Sequence, residues 1–226
     1  MRGRALRNPR SWSALIVGAL ALGTGLAWML VAGWGVAPLD AFIAGSAEIT
    51  GLTVGSLIIV VSVLFLIGSW MLGSPPGWGT PVAFIGVGAV VDLWNLVVFD
   101  LVGWSPADWS IALRVALWTV GFTLFAGGVV ATLASDLGAN PYDQIVRAVH
   151  ERFGISLWLS RLLFDAVILA GAFILGGAWG AGTVALLILM PIAMASLTPI
   201  FRRWVHGEKG VPGLIGEVEA GGFPAR

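Results

Sequence analysis

The sequence predicts an all-α, polytopic membrane protein with six transmembrane helices in two three-helix repeats of inverted topology. Three observations carry that prediction. Of the 226 residues, 58% are apolar and 11% charged, whereas a soluble domain carries about 25% charge. Six apolar segments, 13–33, 54–72, 80–102, 111–134, 157–176 and 183–201, are each long enough to cross about 30 Å of hydrocarbon as a helix. Residues 17–85, laid over 120–188 at a constant shift of 103 with no gap, show the same glycines, prolines and acids in the same order.

The matches fall on residues that punctuate structure. Gly35, Pro38, Asp40, Glu48 and Gly51 coincide with Gly138, Pro141, Asp143, Glu151 and Gly154. Further on, Gly68, Gly77, Gly79 and Thr80 coincide with Gly171, Gly180, Gly182 and Thr183. Roughly sixteen of about seventy positions agree in this way. Each copy holds three spans, an odd number, so the second copy must enter the bilayer from the opposite side; many transporters are built so. The chain divides into an N-terminal segment 1–11, a first repeat 12–103, a second repeat 104–206 and a tail 207–226.

In chain order, Arg2, Arg4, Arg7 and Arg10 precede the first span, and Arg202, Arg203 and Lys209 follow the last. The positive-inside rule therefore places both ends in the cytoplasm. An Arg-rich start before an apolar run also resembles a secretory signal with a cleavage context at Val36-Ala37. The length of the run and the five spans after it favour a membrane helix. The stretches 35–53 and 135–156 then lie outside and inside, and their charges differ accordingly. The first has Asp40 and Glu48 without a cation, the second Arg147, His150 and Arg152.

Each of these stretches predicts a short helix lying at the membrane surface. Tyr142, Ile145, Val146, Val149 and Phe153 recur at spacings of three and four, with a charged opposite face on which Asp143, Arg147 and Glu151 can pair. Leu39, Phe42 and Ile43 mark the same element in the first copy. Trp12, Trp34, Trp104, Trp109, Trp158 and Trp204 lie near span ends as interfacial anchors. The tail, rich in Gly, Pro and charge, is expected to be disordered and cytoplasmic.

Ala37-Pro38-Leu39-Asp40 and Asn140-Pro141-Tyr142-Asp143 have the grammar of a helix start, with proline in the first turn and an acid facing the free amides. Asp40 and Asp143 are accordingly either helix caps or gates at opposite entrances of one pathway. The turns Gly77-Trp78-Gly79-Thr80 and Gly180-Ala181-Gly182-Thr183 join the second and third spans of each copy. They are either tight hairpins or helix starts whose amides face a polar ligand. Gly18 and Gly25, with Gly121 and Gly128, sit seven apart on one face, so the first and fourth spans are expected to pack backbone to backbone.

A charge inside the bilayer costs about 2.5 to 3.5 kcal/mol at a helix centre. Asp92, with Asn95 nearby, lies within the third span and has no partner there; Arg161, Arg114 or an aqueous cavity must satisfy it. Arg161 and Asp165 are four apart on the fifth span and can pair. Asp100 and Arg114 lie near span ends. These charges make Asp92, Asn95, Arg161 and Asp165 the candidate transport site. No cysteine is present, which excludes thiolate chemistry. No zinc-protease signature, paired-carboxylate constellation or nucleophile elbow occurs, so no enzyme, metal or cofactor is expected.

Leu137-Gly-Ala-Asn-Pro-Tyr-Asp143, Glu151-Arg-Phe-Gly-Ile-Ser-Leu157, Gly88-Ala-Val-Val-Asp-Leu-Trp94 and the two Gly-x-Gly-Thr turns resemble the bacterial YczE/YyaS/YitT family of integral membrane proteins, closest to its YczE branch. The resemblance covers residues 12–201. It implies a small multi-spanning protein of the bacterial cytoplasmic membrane and no established solute. Two positions depart from the family pattern: Asp165 stands where Glu is usual, and Met190-Pro191 lacks the following amide.

Together these readings predict a transporter or permease for a small solute, with a polar site near the midplane and the bilayer as its medium. A homo-oligomer is compatible with them, and nucleic acid is not an expected partner. The alternative is a non-transporting adaptor that assembles another membrane or secretion component through intramembrane contacts or the tail. A scramblase or channel is a third possibility.

Overall fold

The computed structural model describes residues 5–75, 77–103, 109–138 and 140–207, with the backbone alone at 99 and 100. The side chain of Asp100, the indole of Trp104, the charges Arg2, Arg4 and Lys209, and the tail beyond Gly207 lie outside the described residues. All regular structure among the described residues is helical: α1 (Pro9–Ala32), α2 (Pro38–Thr50), α3 (Val54–Met71), α4 (Gly79–Asn95), α5 (Ile111–Ala134), α6 (Pro141–Phe153), α7 (Leu157–Ile174) and α8 (Ala181–His206). Six of these, all but α2 and α6, are long and apolar enough to cross a membrane, as the composition predicts.

Local chemistry sets the helix ends. Asn8 accepts a hydrogen bond from the Arg10 amide and Pro9 opens α1, so this helix starts four residues before the apolar run. Thr53, Ser110, Asn140 and Ser156 cap α3, α5, α6 and α7 with their side-chain oxygens. Gly33, Gly51, Gly154 and Gly207 end their helices in the left-handed conformation. The third span, expected as one helix to Val102, changes at Leu96 into a π-helical turn, Leu96–Leu101. The last span runs past Phe201 to His206, with Arg203 and His206 in its final turn, where cations complement the helix dipole.

α1 and α5 form the centre of the bundle and run antiparallel. Gly18 lies against Thr132, while Gly25 lies against Gly121 and Phe125. A Cβ on Gly128 would stand 2.5 Å from the Leu22 amide nitrogen, so the backbones meet directly, as the glycine spacing predicts. Lipid offers no hydrophobic drive between helices, so this close van der Waals contact is what holds the pair. Leu26, Met29, Val91, Trp118 and Phe125 fill the buried space around it.

The other helices add in pairs related by the shift of 103. α4 packs on α1 and α8 on α5; α2 packs on α7 and α6 on α3. Phe42 of α2 covers Gly171, and its counterpart Ile145 of α6 covers Gly68. One pair breaks the pattern. α3 packs along α4, whereas α7 and α8 have at most slight contact.

The start of α1 meets the end of α8, where Asn8 donates to the Val205 carbonyl at 3.0 Å. His206, in the last turn of α8, reaches the Ala134 carbonyl at the end of α5. We call this the near end of the bundle. At the far end Arg114 donates to the carbonyls of Ala32 and Gly33, capping α1.

Candidate functional site

Two polar centres stand at opposite ends of the bundle. The first is built on Asp92, in the last turn of α4 before the π-helical segment. Its carboxylate accepts hydrogen bonds from the Thr53 hydroxyl at 2.6 Å and the Gly55 amide at 2.8 Å. Thr53 is the cap of α3, so the acid sits on the positive N-terminal end of that helix. The approach depends on glycine at both positions. A Cβ on Gly88 would lie 2.6 Å from the Gly55 carbonyl oxygen, and one on Gly55 would strike the Asp92 carboxylate. Asp92 therefore finds neither Arg161 nor Arg114: backbone and hydroxyl donors 37 and 39 residues away satisfy it. Asn95, half-buried one turn later, ends α4.

The second centre lies at the near end, where α6 meets the first turns of α7. Tyr142 donates its hydroxyl to Asp165 at 2.6 Å. Arg161 pairs with Asp143 at 3.2 Å and with Asp165 at 3.8 Å, and its guanidinium carbon lies 5.7 Å from the centre of the Tyr142 ring. Phe65 and Phe164 flank the same ring. Asp143 thus pairs mainly across to α7, while Arg147, its expected local partner, supplies part of the positive field around it. Burial pushes the Asp143 carboxyl above the usual carboxylate range, partly opposed by Arg161 and Arg147. Burial, reinforced by the bond to Asp165, also raises the Tyr142 phenol. Arg161 is 59% exposed, so its pairs contribute at most about 1 kcal/mol each to stability.

Sequence reasoning places Tyr142 on an apolar helix face and overlooks two further polar residues of α6 and α7: Gln144, whose amide donates to the Ser74 carbonyl at 3.0 Å, and Ser160. Both of the latter are buried, and the Gln144 carbonyl oxygen and Ser160 hydroxyl make no hydrogen bond among the described residues. The signal was present in the repeat. Shifted by 103, Tyr142, Gln144, Ser160 and Arg161 fall on Leu39, Ala41, Leu57 and Ile58. The second copy is polar where the first is apolar.

Asp40, the twin of Asp143, keeps the acid without the cation. It is half-buried in the first turn of α2 and makes no hydrogen bond or ion pair among the described residues. Burial raises its carboxyl from the usual value to about 7.

The glycine turns hold the two copies together. The Gly182 amide donates to the Trp34 carbonyl at 2.7 Å, and the Gly79 amide to the Leu137 carbonyl at 3.1 Å. Gly180 and Thr183 close on Gly35, and Thr80 closes on Gly138 with Gly77 against Leu137. The helix starts of α4 and α8 are thus engaged by the other copy's loop, and the two leading amides that sequence left free for a ligand are used. Thr183 also accepts from the Gly180 amide. Asp92 stands at the far end, whereas Arg161 lies in the near half of α7 and Asp165 at its middle, so the four expected residues do not form one cluster.

Six long apolar helices, in which the charged side chains Asp92, Arg114, Arg161 and Asp165 are all hydrogen-bonded or ion-paired, define a polytopic integral membrane protein. The chain belongs to the family of unknown function DUF6198, whose model matches residues 9–198. It is similar to the uncharacterized protein YyaS of Bacillus subtilis (strain 168), 29% identical over 190 residues that cover 83% of this chain and 92% of YyaS. It is also similar to the uncharacterized membrane protein YczE of the same organism, 25% identical over 190 residues, 83% of this chain and 85% of YczE. The resemblance read from the paired motifs therefore holds at the level of the family. No solved structure matches.

Proposed function

We propose that the protein is a transporter or permease for a small solute in the bacterial cytoplasmic membrane, built from two inverted repeats with both termini cytoplasmic. In this reading the near end is cytoplasmic and the far end external. The antiparallel α1 and α5, the reciprocal glycine turns and the cations on α6 alone support that orientation.

The observation that carries the reading is the unequal treatment of one helix pair. α3 is sealed to α4 by Gly55, Gly88 and Asp92. The corresponding positions between α7 and α8 are Trp158, Pro191 and Ala195, and those helices have at most slight contact. Two copies of one design in two arrangements are what alternating access requires: one repeat serves as the fixed wall and the other rocks against it. Here α3 and α4 are the wall, closed at the external end by Asp92. α7 and α8 are the moving half, and the Tyr142, Asp143, Arg161 and Asp165 centre lies at its cytoplasmic mouth. Polar gating groups thus sit at both mouths.

The experiment is efflux from proteoliposomes loaded with a bacterial metabolite extract, with solutes identified by mass spectrometry. The native protein is expected to release a defined solute subset that empty vesicles retain. Asp92→Ala, which releases the start of α3, is expected to change that rate several-fold. Equal release from native protein, Asp92→Ala and empty vesicles overturns the transport reading.

A further inference from the structure

The repeat supplies its own control for Asp40. In the second copy the equivalent acid, Asp143, is held by Arg161 across the α6–α7 contact at 3.2 Å. In the first copy the residue at the Arg161 position is Ile58, which is 7% exposed, and the residue at the Asp165 position is Ser62. We infer that Asp40 is a proton-binding site at the external mouth, the group through which solute movement is coupled to protons; the coupling rests on the transport reading, the proton site does not.

Everything packed against α2 leaves this carboxyl without a charged neighbour. α3 carries no titratable side chain along its whole length. α7 carries only Arg161 and Asp165, in the half next to α6. Its other end, at Ala172 and Gly171, is what α2 covers. Arg114, at the same end of the bundle as α2, spends its guanidinium on the carbonyls of Ala32 and Gly33. Asp92 is held by Thr53 and Gly55. On α2 itself Glu48 is exposed, two turns further on. An acid in apolar surroundings with no counter-charge and no donor other than its own helix start favours the protonated form. Burial accordingly lifts Asp40 to about 7, inside the range over which a membrane pH gradient acts. A carboxyl that can be neutral or charged at its mouth can bind a proton on one side and release it on the other.

The test measures the proton directly, without any solute. Native protein and Asp40→Asn are purified into nanodiscs, and the protonated-carboxyl band is followed by infrared spectroscopy across about pH 4 to 9. The native-minus-mutant difference is expected to show one carboxyl that ionises near pH 7. Ile58→Arg, which installs the cation of the second copy, is expected to lower that midpoint by about 1 to 3 pH units. If Asp40→Asn does not fold, Asp40→Glu carries the comparison, with a shifted band and a retained neutral-range midpoint. An Asp40 already ionised at about pH 5 overturns the proton site whatever the flux assay shows. Solute uptake driven by an imposed pH gradient in the native protein and lost in Asp40→Asn supports the coupling. Uptake that ignores the gradient overturns the coupling.

Discussion

Asp40 and Asp143 occupy one position of the repeat and differ only in their neighbours, so pH separates them. The folded protein keeps the Asp40 carboxyl protonated up to about pH 7, whereas the unfolded chain ionises near the ordinary value of 3.8. Below the ordinary value both states bind the proton and the residue is neutral in the balance. Between the two values only the folded state holds the proton, so stability falls as pH rises, and above pH 7 the penalty is constant. Asp40→Asn removes that penalty. The melting temperature of Asp40→Asn minus that of the native protein is expected to be larger at pH 8 than at pH 5; an equal difference at both pH values contradicts the assignment. On the other copy, Tyr142→Phe deletes a single hydrogen bond to a half-exposed carboxylate and is expected to cost about 1 kcal/mol in thermal unfolding. The acids were legible in the sequence because they repeat. Their environments were not, because the cation that distinguishes them lies 18 residues away on the next helix.

At the scale of elements, the seal between α3 and α4 predicts opposite outcomes for two glycines on one helix. A Cβ on Gly88 meets the Gly55 carbonyl at 2.6 Å, while one on Gly86 meets Ala19 at 3.6 Å, an ordinary contact. Gly88→Ala is expected to destabilise the protein by about 1 to 3 kcal/mol. Gly86→Ala is expected to be neutral or stabilising by up to about 1 kcal/mol. Melting temperatures of the two purified variants check this, and equal effects contradict the seal. The sequence marks the starts of α2 and α6 through their Pro-x-Asp corners, whereas the caps Asn8, Thr53 and Ser156 emerge only in the structure. The sequence did not announce the π-helical turn at Leu96, because hydropathy is blind to the hydrogen-bond register. Nor did it place Asp92, since a search for opposite charge overlooks a carboxylate satisfied by a helix start.

For the whole molecule, span count and family were legible because bilayer thickness fixes helix length and the duplicated glycines mark where backbones touch. The placement of the polar groups was not, because the two copies differ in where they carry them: Asp92 has Ala195 as its twin, and Arg161 has Ile58. A search for one cluster joins Asp92 to Arg161 and Asp165, which it does not meet in the fold. Transport by opposed copies also requires α2 and α6 to lie on opposite faces of the membrane. The cysteine-free chain makes that directly measurable. Ile49 and its twin Arg152 are both exposed, and single Ile49→Cys and Arg152→Cys variants can be treated with a membrane-impermeant maleimide on intact cells. Inverted repeats predict that Ile49→Cys is labelled on intact cells and Arg152→Cys only after lysis; labelling of both on intact cells, or of neither, contradicts the inversion on which the proposed function stands.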